Sequence, residues 1–270
     1  MERKQEKAFS FVRVNKRSEK PRDRGITEIR DRVLGLRQLQ DLCEAAGDYI
    51  DILKIGSMQA RFQDRDFVKK KIELCRQYQI DVSTGGSLES AVPQGPPIVV
   101  KFVEEAKDLG FTYIEVSSGN LILSLEHKLE LIKLVKEYGL RPKPEVSVAH
   151  GITPETKVSI SVDKLIKEID KCLEVGCDIV LLESEGITEN VKEWRVDVIH
   201  KIAASFDLTH LQFEAADPLV FNWYMKNFGP DVNLFVDSSQ IMACEGYRSG
   251  LLGSDDTWGR VATFIRPKKD

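Results

Sequence analysis

The stretch Thr209–Gln240, THLQFEAADPLVFNWYMKNFGPDVNLFVDSSQ, holds one whole strand–helix–strand unit. His210, Leu211, Gln212, Phe213 and Glu214 alternate polar and apolar, the pattern of a strand whose two faces meet different surroundings. Asp217 and Pro218 mark a helix start, because aspartate accepts from the amides a helix leaves open and proline has no amide to leave open. Val220, Phe221, Tyr224 and Met225 supply a buried stripe, and Asn227-Phe228-Gly229-Pro230 stops the helix. Val232 to Asp237 is the next strand, and it also ends on an acid. A carboxylate at the carboxyl end of a strand, beside a helix start, is where parallel α/β proteins place their chemistry.

Upstream, four helical patterns end on glycine and run directly into a strand: AAGDYIDILKI, DLGFTYIEV, EYGLRPKPEV and EVGCDIVLLE. Gly47, Gly110, Gly139 and Gly176 fit a left-handed helix stop, and such short connections repeated along a chain mean parallel βα units. Strands are expected near 26–31, 49–55, 80–84, 112–116, 141–147, 178–183, 209–214 and 232–237, with a helix after each. Eight pairs predict a single-domain α/β fold, a (β/α)8 TIM barrel over residues 26–252, and no GxGxxG follows the first strand to suggest a dinucleotide-binding sheet. A basic N-terminal arm over residues 1–25 is expected to lie across one end of the barrel, and residues 253–270 to form a surface tail.

The chain has 270 residues, 42% hydrophobic and 30% charged, with a net charge of -4, which speaks against nucleic acid as a partner. No apolar run suggests a membrane partner and the N-terminus lacks a signal core, so a cytoplasmic protein is expected, assembled as a homo-oligomer. The five cysteines form no CxxC pair and read as reduced packing residues.

Strand alternation also picks out what faces the lumen. In the fifth strand Pro142, Pro144, Val146 and Val148 face outward, leaving Arg141, Lys143, Glu145 and Ser147 inward. Other strands add Lys54, Glu115, Glu183, Gln212, Glu214 and Asn233. Buried charge is costly unless paired or bound to a ligand, so this set exceeds what packing needs. Glu145, Glu183 and Glu214 with a nearby lysine suit a hard divalent cation such as Mg2+, and no His/Cys cluster points to zinc. Two loops suit anions: Ser83–Glu89 (STGGSLE), with Gly85, Gly86 and Ser87, and Ser117–Asn120 (SSGN). The helix start at Asp217 is a third, and His150 reads as a solvated loop histidine.

These motifs resemble the phosphosulfolactate synthase family from about Gly47 to Gly253, through GDYIDILKIG, STGGSLE, GFTYIEVSSG, the Glu145 strand, VGCDIVLLE, FEA and VNL. The resemblance implies a (β/α)8 barrel that uses Mg2+ to add sulfite to phosphoenolpyruvate, giving phosphosulfolactate. It also implies that Lys54, Glu115, Glu145, Glu183, Glu214 and Asn233 line the site. A luminal lysine, Lys143 or Lys54, would then protonate the carbanion carbon.

The chain departs from the family pattern at three places. Glu185 stands where family text such as EGRES carries an arginine, Ser57-Met58 replaces Trp-Gly, and Ser147 replaces a glycine. VNLFVDSSQIM and RPKPEV are similar to the plant heat-stress-associated branch. Alternatives to the synthase are therefore a related barrel enzyme acting on another phosphorylated or enolisable acid, or a non-catalytic homologue.

Overall fold

The structure is a computed structural model describing residues 7–56, 58–119, 121, 123–150, 158–159 and 161–251. The expected tail at 253–270, the first six residues of the arm, Asn120 and the side chain of His150 lie outside this description. The barrel strands are β1 (Thr27–Arg30), β2 (Ile52–Lys54), β3 (Asp81–Ser83), β4 (Tyr113–Val116), β5 (Arg141–Val146), β8 (Val180–Leu182), β9 (Leu211–Glu214) and β10 (Asn233–Asp237). All eight pair in parallel and close in the order β1-β10-β9-β8-β5-β4-β3-β2, which is the expected TIM barrel. A short antiparallel pair, β6 (Ala149–His150) with β7 (Val158–Ser159), stands apart from it after β5.

The outer layer consists of α1 (Leu36–Ala46), α2 (Arg65–Gln77), α3 (Pro96–Leu109), α4 (Leu125–Glu137), α5 (Val162–Glu174), α6 (Val196–Ala203), α7 (Pro218–Phe228) and α8 (Ile241–Arg248). Their buried stripes, such as Leu165, Ile169 and Cys172 of α5, pack on the outward face of the strands in one continuous core. All five cysteines are buried free thiols within it. Asp217 caps α7 as expected, accepting from the amides of Leu219 and Val220 at 2.9 and 3.1 Å.

Gly110, Gly139 and Gly176 are left-handed, but Gly47 is not: its φ is -55° and the chain continues into a 3-10 turn, Gly47–Tyr49. Space there is tight, since a Cβ would meet the Tyr78 side chain at 3.1 Å. That turn delays β2 to Ile52, and a second one, Leu208–His210, delays β9 to Leu211. In the latter Asp207 accepts from the amide of Thr209 at 2.9 Å, a local bond that competes with strand pairing.

Inside the barrel, Ile26, Ile52, Tyr113 and Ile179 form a small apolar cluster at the amino ends of the strands. Two arginines from the segment before β1 bind near that end. Arg17 donates to the carbonyls of Tyr49 and Gly25 and pairs with Asp51 and Glu245, while Arg22 reaches the second oxygen of Asp51 at 2.7 Å.

Candidate active site at the mouth of the barrel

Parallel strands deliver their last inward side chains to one rim. A cavity of about 440 Å³ opens there, lined by Arg30, Lys54, Glu115, Glu145, Glu183 and Glu214 from six strands or their ends, with Gly86, Glu89, Ser117 and Gly119 from the loops. Beneath it runs a chain of alternating charges. Lys143 Nζ lies 2.6 Å from Glu28 Oε1 and 3.3 Å from Glu115 Oε2; Lys54 Nζ lies 2.8 Å from that same Glu115 oxygen and 3.8 Å from Glu145 Oε2. Lys54 also sits 4.3 Å from the centroid of the Phe235 ring, whose face favours a cation.

Ion pairing of Glu28 with Lys143, Glu115 with Lys54 and Glu214 with Arg30 at 2.8 Å leaves Glu145 and Glu183 undercompensated. Burial pushes the Glu145 carboxyl well above its ordinary range, and neighbouring Glu115 and Glu183 add to this. Burial likewise raises Glu183 to about 7, although Ser147 donates a hydrogen bond to it. Burial alone disfavours the Lys54 ammonium, but Glu115, Glu145, Glu28 and Glu214 outweigh it and hold its proton more tightly than usual. Burial also opposes ionisation of Glu115, and Lys54 and Lys143 overcome it.

The residues singled out from sequence fall into three groups. Lys54, Gly86, Glu115, Ser117, Glu145, Glu183 and Glu214 meet at the cavity. Lys143 does not reach it: with 0% exposure it is spent on Glu28 and Glu115 one layer down, which corrects its expected place beside Lys54 as a candidate proton donor. Gly85 and Ser87 also stand behind the rim. A Cβ on Gly85 would meet the Gly56 Cα at 2.7 Å, and Ser87 Oγ ties the carbonyl of Thr84 to the amide of Met58, so these two join the β2 and β3 loops rather than cradle an anion.

Asn233 is a correction of a different kind. It opens β10 at the opposite end of the barrel, where its side chain accepts from the Ile26 amide and donates to the carbonyls of Leu208, Thr209 and Leu211. Every polar atom of that amide is used by backbone, so it stitches strands and does not line the cavity.

Glu28, Arg30 and Glu89 were not singled out. The alternation rule applied to β1 places Glu28 and Arg30 inward on either side of Ile29, so that signal was present in TEIR. Glu89 had no periodic signal, because it stands in the 3-10 segment Gly85–Ser90; its carboxylate accepts from Ser117 Oγ and from the amide of Gly119 at 2.9 Å.

Among the described residues, no group of three or more His, Cys, Asp or Glu side chains is gathered to hold a metal. The expected trio is broken because Glu214 is occupied by Arg30. Glu145 and Glu183 remain as hard oxygen donors that burial and neighbouring carboxylates leave holding protons more tightly than usual, and a pair of carboxylates fits a Mg2+ ion that displaces those protons and completes its shell with water and substrate oxygens.

The family model described as (2R)-phospho-3-sulfolactate synthase matches residues 15–254. The chain belongs to this synthase family. It is 34% identical over 266 residues to Protein HEAT-STRESS-ASSOCIATED 32 of Arabidopsis thaliana, covering 91% of this chain and 93% of that protein. It is also 32% identical over 249 residues to phosphosulfolactate synthase of Methanocaldococcus jannaschii, covering 88% and 95%. Among solved structures, 3-hexulose-6-phosphate synthase from Salmonella typhimurium aligns with a TM-score of 0.54 at 15% identity over 83% of this chain and 94% of that one, a likeness of fold alone. No helix among the described residues is long and apolar enough to cross a membrane.

Proposed function

We propose that this family member is a phosphosulfolactate synthase-type enzyme, joining sulfite to phosphoenolpyruvate in a Mg2+-dependent addition. One observation carries the reading: in a chain of this family, a lysine is held at the cavity floor between Glu115 at 2.8 Å and Glu145 at 3.8 Å. In the reaction the sulfur lone pair of sulfite bonds to the methylene carbon of phosphoenolpyruvate, and the double-bond electrons move onto the adjacent carbon and its carboxylate. A proton then closes that carbon to give phosphosulfolactate.

Lys54 is the group placed to meet this charge, as a fixed ammonium that needs no reorganisation when the charge develops. The carbanion is far more basic than an amine, so even a tightly held lysine proton is transferred downhill. Glu115, itself fixed by Lys143, keeps the Lys54 ammonium charged and aimed upward. A bound divalent cation, held by Glu145 and Glu183, would supply further positive charge for the substrate oxygens.

Glu185 favours a second reading, a related enzyme for a different phosphorylated or enolisable acid. It stands where the resemblance places an arginine, and Asn190 holds it at 2.6 Å. Sulfite-dependent consumption of phosphoenolpyruvate by the purified protein, with and without Mg2+, separates the two. Metal-dependent turnover supports the synthase, and its absence from folded protein in Mg2+ rejects it.

A further inference from the structure

The cavity is polarised by strand order. β1 and β2 are neighbours, and β5 and β8 are neighbours on the opposite wall of the barrel. The first pair carries Arg30 and Lys54, which are partners in strand register, and the second carries Glu145 and leads into Glu183. Arg30 and Lys54 also share an aromatic platform: the Arg30 Cζ lies 5.2 Å and the Lys54 Nζ 4.3 Å from the centroid of Phe235. Arg32, in the loop after β1, lines the same side and is positioned by Asp237 at 2.6 Å.

Arg30 is built to receive something more. A guanidinium has five N–H donors in a rigid fork, and here Nη2 donates to Glu214 while the side chain stays 40% exposed at the cavity wall. The Phe235 ring packs against the guanidinium, and the Glu214 bond engages one of its nitrogens. The arginines that line this cavity, Arg30 and Arg32, both come from β1 and the loop after it.

We propose that Arg30, with Arg32 at the rim, forms the subsite for the phosphate of a phosphorylated substrate on the β1 side of the cavity, while the Lys54 ammonium stays between Glu115 and Glu145. The proposal deepens the synthase reading and rests on it for the choice of phosphoenolpyruvate as probe. Its physical basis is the two-point contact between a guanidinium and a phosphate, which a lysine ammonium reproduces only in charge.

The test is calorimetric binding of phosphoenolpyruvate and of inorganic phosphate to wild type, Arg30→Met, Arg30→Lys and the double variant Arg30→Met/Glu214→Gln. The double variant removes the Glu214 charge that the single variant would leave without its partner, and thermal melting shows that it folds. Phosphoenolpyruvate binding is expected to weaken roughly 10-fold or more in both methionine variants, with partial recovery in Arg30→Lys. Unchanged affinity in the folded double variant, or a wild type that binds neither probe, overturns the subsite. Phosphoenolpyruvate binding that depends on Arg30 without sulfite-dependent turnover rejects the synthase and keeps the subsite; turnover with Arg30-independent binding does the reverse.

Discussion

Lys143 Nζ sits 2.6 Å from Glu28 Oε1 across the lumen, from β5 to β1, and neither side chain has any exposure to solvent. Two full charges removed from water are tolerated only because they meet each other, so losing one partner costs more than losing both. Glu28→Gln or Lys143→Met alone is expected to lower stability by about 3–5 kcal/mol, whereas the double variant recovers most of that loss. Denaturant unfolding of the three variants and wild type measures it. Additive losses would show that the pair is not coupled.

Lys54 and Glu145 meet the cavity rather than the core, so their removal is read in chemistry. Lys54→Met is expected to reduce sulfite-dependent turnover of phosphoenolpyruvate by about 100-fold or more, in line with the loss of a fixed donor to developing charge. Glu145→Gln should reduce turnover and raise the Mg2+ concentration needed for half-activity. Steady-state assays over a Mg2+ series distinguish the two effects. A Glu145→Gln enzyme with an unaltered metal requirement would remove that carboxylate from the proposed cation site.

Glu183 sets a pH dependence whose sign is fixed by its environment. Burial raises it from the ordinary 4.5 to about 7, so between those values the folded chain holds a proton that the unfolded chain has released. Its contribution to stability is therefore complete below about 4.5 and is lost as pH rises through 7. Glu183→Gln should gain stability relative to wild type on going from pH 5 to pH 8. Denaturation midpoints at those two pH values test this; a constant difference would show that Glu183 ionises at an ordinary pH.

Asp51 latches the arm to the far end of the barrel, accepting from Arg17, Arg22 and the amide of Thr27. Asp51→Asn weakens two ion pairs at once, and Arg17, whose pKa burial lowers, loses a carboxylate that offsets that burial. A loss of about 2–3 kcal/mol is expected, together with faster tryptic cleavage at Arg17 and Arg22. Limited proteolysis with mass spectrometry checks the second point, and wild-type cleavage rates in the variant would show that Asp51 does not retain the arm.

The barrel was legible because its signals are local and periodic. Alternation in LQFE, the Asp217-Pro218 cap and the helix-ending glycines each act within a few residues, so the eight βα units could be counted from the chain alone. Gly47 shows where such reading stops. Its tight neighbour is Tyr78, which is far along the chain, and the 3-10 turn that starts at Gly47 shortened the expected strand. Alternation likewise named Lys143 and Asn233 as inward, but it carries no information about height along the barrel axis.

That height is what separates the mouth from the amino end, and it follows from register between strands. Register placed Lys143 against Glu28, set Asn233 among backbone groups at the amino ends, and brought Arg30 beside Lys54. By itself the sequence determined the architecture, the family and which residues point inward, because side-chain direction follows the backbone period. Only the closed barrel decided which of those charges neutralise one another and which face the cavity, because electrostatic pairing depends on distances between strands that no local pattern encodes.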